Sequence, residues 1–186
     1  MRTVINSLLV LLTVLYPFAV FFGLEHVQPR YLALLLLLVF VLRLLLRPGQ
    51  GFQRRDMLLL AVLLLFAGLV FTLNSQQGLL FYPVLINLFM LASFAATLLY
   101  PPSMIERFAR IHNKTLPDHA IPYTRGVTMV WCLFFALNTL ASAYTALFCP
   151  LHVWSLYNGL LAYGLVGLLF VLEYPVRLLY RRRHAG

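Results

Sequence analysis

Clusters of basic residues alternate with long apolar runs along the whole of this 186-residue chain. Each run approaches the roughly 20 residues that a helix needs to cross the hydrocarbon core of a bilayer. The runs cover residues 4–24, 31–46, 57–73, 79–100, 127–148 and 151–172. With 62% hydrophobic and 10% charged residues, the chain has too little polar surface to cover a water-soluble core of this size. We therefore predict an all-α fold, a polytopic membrane helix bundle with six transmembrane helices in one domain.

The basic residues are distributed asymmetrically about these six spans. Thirteen of the fourteen Lys and Arg residues fall on the side that holds both termini, and Arg30 alone falls on the other. Because short basic loops stay in the cytoplasm, the sequence predicts cytoplasmic termini, a cytoplasmic loop over residues 101–126 and a basic tail over residues 173–186. Topology and anionic headgroups account for the net charge of +9, so membrane lipids rather than nucleic acid are the expected partners.

The loop over residues 101–126 carries the pattern of one short interfacial helix. Ser103 follows two prolines and can cap a helix, and Glu106 stands where it completes a capping box. Apolar residues then recur at helical spacing, and Glu106 and Arg110 are placed to form an exposed pair. The apolar face of this helix is either a docking site for a cytoplasmic protein or an interfacial surface that closes the bundle. The candidate docking residues are Met104, Ile105, Arg107, Phe108, Arg110 and Ile111. Beyond the helix, Pro117 and Pro122 predict extended chain up to Tyr123.

Polar residues inside the spans form a second candidate site. Asn138, Ser142 and Ala146 recur every four residues in the fifth span, and Asn87 in the fourth span is a candidate partner. Small and polar stripes permit close helix approach and interhelical hydrogen bonds, within one chain or between copies in a homo-oligomer. The alternative is a cleft in which Asn87, Asn138 and Ser142 orient the polar head of an amphiphile.

Residues that could support catalysis or transport are few. The middle of every span lacks an ionisable residue, which argues against a proton relay, and Glu173 is spaced to pair with Arg177. One weak acid-base or metal constellation combines Glu25, His26 and His152 near the outer face, and a second combines His112, Asp118 and His119. Neither spacing matches a ligand motif. We therefore predict no catalytic residue, no cofactor and no metal site.

The two cysteines add no redox centre. Cys132 and Cys149 lie seventeen positions apart in one predicted helix, which separates them by roughly 25 Å along its axis. A disulfide between them is beyond reach.

The second half of the chain resembles the bacterial intracellular septation protein A family of small multispanning inner-membrane proteins. The resemblance is carried by Pro102-Ser103-Met104-Ile105-Glu106-Arg107, Leu116-Pro117, Trp131-Cys132-Leu133-Phe134-Phe135, Leu140-Ala141, Tyr144, Pro150 and Trp154. Over its full length the chain resembles a related group of uncharacterised bacterial inner-membrane proteins encoded in aryl-polyene-type lipid clusters. The resemblance implies a shared membrane fold and a role in envelope synthesis or division, and it carries over no active-site residue.

Three functions remain open from the sequence. The leading hypothesis is a non-enzymatic inner-membrane accessory or scaffold protein of cell-envelope or lipid biogenesis, which binds protein partners through the cytoplasmic loop. The alternative is a carrier or flippase for an amphiphilic lipid or acyl product, with its cleft at Asn87 and Asn138. A membrane enzyme is the least favoured, because the spacing of Glu25, His26 and His152 matches no ligand motif; it would require at least one of these residues to be indispensable.

Overall fold

The computed structural model of the protein describes residues 20–24, 26–45, 54–112 and 116–183. These residues are helical outside short turns, and no strand occurs among them. The helices are α1 (Pro29–Leu45), α2 (Arg54–Leu73), α3 (Gln76–Leu80), α4 (Tyr82–Leu99), α5 (Met104–His112), α6 (Ala120–Phe148), α7 (Leu151–Leu156) and α8 (Ala162–Arg183), with a π-helical turn, Tyr157–Leu161, between α7 and α8. The all-α prediction is confirmed for this part of the chain.

Three helical segments are long and apolar enough to cross a membrane, which indicates a membrane protein. They are Gln76–Leu99, Ala120–Phe148 and Leu151–Tyr180. The second and third predicted spans correspond to shorter apolar helices, and residues 4–19 of the first lie outside the described residues. The six-span topology and the cytoplasmic termini therefore stay predictions.

The long helices have the surface of membrane helices rather than of water-soluble ones. Large apolar side chains point outward along them, with Leu65 77% exposed and Leu140 68% exposed. Buried positions instead include small polar residues such as Thr128, Thr139 and Ser142. A helix that is apolar all round is suited to a lipid environment, where small polar residues mediate helix contacts.

The chain divides into two compact units. The first contains the described residues up to Pro83 together with Ser142–Leu161, and the second contains Val84–Ala141 together with the described residues from Ala162 onward.

In the first unit, α1 and α2 pack against each other. The chain leaves α2 through Asn74, whose φ of 47° is a left-handed conformation that asparagine tolerates better than most residues. The Asn74 Oδ1 atom accepts a 3.4 Å hydrogen bond from the Arg30 amide, and Ser75 caps α3 by accepting from the Gly78 amide at 3.1 Å. These bonds fix the turn between α2 and α3.

A buried polar network surrounds the π-helical turn of the first unit. Asn158 Oδ1 accepts from the Ser142 hydroxyl at 2.8 Å, and Asn158 Nδ2 donates to the Trp154 carbonyl at 2.9 Å and to Thr145 Oγ1 at 3.3 Å. The Trp154 indole donates to the Leu80 carbonyl at 3.1 Å. The buried Asn158 amide therefore has partners for both its oxygen and its nitrogen, as burial in an apolar environment requires.

The second unit has an aromatic core. Phe94 from α4 packs against Trp131 and Phe135 from α6, with ring centroids 5.2 Å apart for Phe94 and Phe135. Met104 and Ile105 of α5 pack against this cluster, so the short helix is anchored to the core by its inner face.

One sequence prediction about a helix end is wrong. α6 begins at Ala120, so the chain is not extended through Ile121 and Pro122. Pro122 is tolerated there because it lies in the first helical turn, where backbone amides have no intrahelical acceptor. At the other end, α8 continues to Arg183 with Pro175 inside it, so most of the predicted tail is helical.

Candidate functional site

The start of α5 is fixed by hydroxyl groups from two long helices. The Met104 amide donates to Thr97 Oγ1 at 2.9 Å, and the Ile105 amide donates to Thr128 Oγ1 at 3.3 Å. Thr97 belongs to α4 and Thr128 to α6, so tertiary contacts supply the caps that a helix N-terminus lacks.

The predicted capping box is therefore wrong, although the predicted helix start is confirmed. Ser103 precedes α5 and its carbonyl accepts from the Arg107 amide at 2.9 Å, but its buried hydroxyl has no hydrogen-bond partner among the residues that the structure describes. Glu106 is occupied elsewhere: its Oε1 atom accepts from Arg110 Nε at 2.9 Å and from Arg110 Nη2 at 2.7 Å. This pair was expected to be exposed, yet the Glu106 side chain is only 7% exposed because the helix packs inward on that side.

The six candidate docking residues separate into an inner and an outer group. Met104 and Ile105 are partly buried and pack against the aromatic core. Phe108 is 51% exposed and Ile111 is 73% exposed. Arg107 is held against the preceding turn, where it donates to the carbonyls of Pro102 at 2.8 Å and Tyr100 at 3.2 Å. We call Phe108 and Ile111, with the arginines that flank them, the outer face of α5.

A cavity of about 480 Å³ lies in the second unit beside α5. It is lined by apolar residues from α5, α6 and α8 and by a polar group near the end of α8. The lining residues are Ile105, Phe108, Ala109, Leu116, Pro117, His119, Ala120, Tyr123, Thr124, Val127, Trp131, Phe170, Glu173, Arg177 and Tyr180. Its size falls within the ~300–1,000 Å³ range of small-molecule sites.

The polar wall of the cavity is organised by two tyrosines. The Tyr123 hydroxyl donates to Glu173 Oε1 at 2.9 Å, and the Tyr180 hydroxyl donates to the His119 carbonyl at 2.8 Å. The two tyrosine rings lie 4.7 Å apart between centroids. Glu173 was expected to pair with Arg177; in the described structure its carboxylate accepts from Tyr123 instead.

The structure brings Asn87 and Asn138 together, as the spacing of polar residues suggested. Asn138 Nδ2 donates to Asn87 Oδ1 at 2.9 Å within the second unit. Neither residue lines the cavity. Ser142 belongs to the first unit, where it bonds to Asn158. Sequence reasoning missed Asn158, although an asparagine inside an apolar run was the same signal that identified Asn138.

The structure does not assemble either of the two candidate acid-base groups into a site among the described residues. Glu25 and the His112 side chain lie outside the described part of the chain, while His26 and His152 are exposed. No three His, Cys, Asp or Glu side chains among the described residues come together as a metal site. Cys132 and Cys149 are free thiols.

No protein-family model, curated protein or solved structure matches the chain. The resemblance to septation protein A therefore stays a prediction.

Proposed function

We propose that this protein is a non-enzymatic accessory protein of the bacterial inner membrane that binds a cytoplasmic protein of envelope or lipid biogenesis through the outer face of α5. The observation that carries the proposal is the way α5 is held. Its inner face is fixed by the aromatic core and by two threonine caps, while Phe108 and Ile111 stay exposed. An apolar side chain that a fixed helix holds outward can fill a pocket on a partner, and a few buried anchors of this kind carry most of the binding energy of an interface.

The charge of the outer face indicates what kind of partner it binds. The charge of Arg110 is balanced by Glu106, whereas Arg107 bonds only to carbonyl oxygens and keeps its positive charge beside Phe108. The whole chain also carries a net charge of +9. Complementary charge steers association and excludes wrong partners. The partner we propose is a protein surface with an apolar recess surrounded by Asp and Glu side chains.

The proposed location rests on the distribution of charge. Short basic loops are retained in the cytoplasm, and α5 lies in a loop on the basic side of the chain. The envelope or lipid context rests on the resemblance to septation protein A and to the proteins of aryl-polyene-type clusters. Six spans with both termini in the cytoplasm are part of the same proposal.

The Asn87–Asn138 pair offers less support for a carrier. The two amides bond to each other at 2.9 Å, which is the arrangement expected of a structural contact between helices.

The test uses Ile111→Ser, because Ile111 is exposed and does not line the cavity. The tagged protein is extracted gently at native expression level, and co-purifying proteins are identified by mass spectrometry. We expect an acyltransferase, carrier or division protein to co-purify with the parent chain. The Ile111→Ser variant should lose this partner or bind it roughly thirtyfold more weakly, because the loss of one hot-spot side chain costs about 2 kcal/mol of binding free energy.

Leu179→Ser is the matched control, since Leu179 is 60% exposed near the end of α8 and outside α5. The control variant should co-purify with the partner as well as the parent chain does. A photo-crosslinking residue at position 111 then shows whether this position contacts protein or lipid. Equal recovery from both variants, or crosslinks to lipid alone, would contradict docking of a protein at α5.

A further inference from the structure

The cavity beside α5 has a volume suited to one alkyl chain. A methylene group is close in size to a water molecule, which occupies about 30 Å³. A cavity of about 480 Å³ therefore accommodates roughly sixteen methylene groups. Ile105, Val127, Trp131 and Phe170 provide an apolar lining, and Ile105, Val127 and Trp131 also belong to or pack on the aromatic core. A lining of this kind favours a hydrocarbon chain over a polar ligand.

The polar wall contains one cation and one anion, Arg177 and Glu173. The Glu173 carboxylate accepts a hydrogen bond from the Tyr123 hydroxyl, and both Glu173 and Arg177 interact electrostatically with that hydroxyl. Within the described residues the guanidinium of Arg177 makes no hydrogen bond and no direct ion pair, so its donors face the cavity. A guanidinium presents a planar fork of donors that matches a carboxylate or a phosphate.

We propose that this cavity binds a single-chain amphiphile with an anionic head, a carboxylate or a phosphate, that contacts Arg177. The alkyl chain lies against Val127, Trp131 and Phe170. The volume favours one chain over the two of a bulk phospholipid. The proposal does not depend on partner docking at α5, because neither Arg177 nor Val127 belongs to the outer face of that helix.

The two tryptophans of the chain make the binding measurable. Trp131 lines the cavity, whereas Trp154 is buried in the first unit. The full chain is placed in nanodiscs of neutral phosphatidylcholine and titrated with a fatty acid that carries a nitroxide quencher on its alkyl chain. Fluorescence is recorded from Trp154→Phe, which reports Trp131, and from Trp131→Phe, which reports Trp154. We expect saturable quenching of Trp131 and only weak, linear quenching of Trp154.

Charge variants test the head group. Arg177→Gln should raise the apparent Kd of the probe about tenfold, a factor equivalent to 1.4 kcal/mol. Arg125→Gln is the matched control, since Arg125 is exposed, has the same charge and does not line the cavity. Val127→Phe reduces the space for the chain and should lower occupancy without changing the charge.

Unlabelled competitors distinguish the sources of the ligand. Lysophosphatidylglycerol and palmitate should displace the probe, whereas a neutral monoacylglycerol should displace it at least tenfold less well. Native mass spectrometry of the unmodified protein with palmitate provides a second measurement that needs no tryptophan variant. Equal quenching of both tryptophans, equal effects of the two arginine variants, or stronger displacement by two-chain phosphatidylglycerol would each overturn the assignment.

Discussion

The caps supplied by Thr97 and Thr128 make a quantitative prediction about α5. Thr97→Val keeps the shape of the side chain but removes the acceptor of the 2.9 Å bond from the Met104 amide. Loss of a helix N-cap costs ~0.5–2 kcal/mol, and an unsatisfied buried amide costs ~1–3 kcal/mol. We therefore expect Thr97→Val to destabilise α5 locally by about 1–2 kcal/mol. Thr128→Val should have the smaller effect, because its bond from the Ile105 amide is longer, at 3.3 Å.

Hydrogen exchange measures this local opening directly. A loss of about 1–2 kcal/mol raises the open population of α5 by roughly 5- to 30-fold, and the amides of the peptide covering residues 104–112 should exchange faster by that factor. Thr97→Ser keeps the hydroxyl and should restore protection. Thr72→Val is the control, because the Thr72 hydroxyl donates to the Gly68 and Leu69 carbonyls of its own helix. Unchanged exchange in Thr97→Val, or an equal change in Thr97→Ser, would refute the reasoning.

Two further predictions concern polar groups in the second unit. Ser103→Ala should leave α5 as protected as in the parent chain or slightly more so, because the Ser103 hydroxyl is buried without a partner among the described residues. A loss of stability near 1 kcal/mol in thermal unfolding would instead support the capping box that the sequence predicted. In a double-mutant cycle, Asn87→Leu and Asn138→Leu should show a coupling free energy of about 0.6–1.7 kcal/mol, measured by unfolding in bicelles. Strictly additive effects on the free energy of unfolding would count against the Asn87–Asn138 bond.

The helical elements could be predicted from the sequence because their signals are local. Two prolines followed by Ser103 and an amphipathic pattern located the start of α5, and long apolar runs located α4, α6 and α8. The sixth predicted span ends at residue 172, where the chain becomes charged, and α8 continues beyond it to Arg183. Loss of apolar character ends a predicted span, but it does not end a helix.

The contacts of the candidate site could be predicted only in part. The Asn87–Asn138 pair followed from the scarcity of polar residues in apolar helices. The caps of α5 could not be predicted, because Thr97 and Thr128 are seven and twenty-three residues from the amides they bind. Local rules assign a cap to the nearest hydroxyl, and here tertiary packing brings two more distant hydroxyls to the helix start.

The outward leucines of the long helices have a thermodynamic consequence. In a bilayer, side chains such as Leu137 and Leu140 would contact lipid both in the assembled bundle and after the helices separate. The heat-capacity change of unfolding is dominated by apolar surface newly exposed to water, at roughly 0.45 cal/mol/K for each Å². Separation within the bilayer exposes little such surface, so its enthalpy should vary only slightly with temperature. The stability curve of this protein in lipid should therefore be nearly straight, without the fall at low temperature that water-soluble domains show.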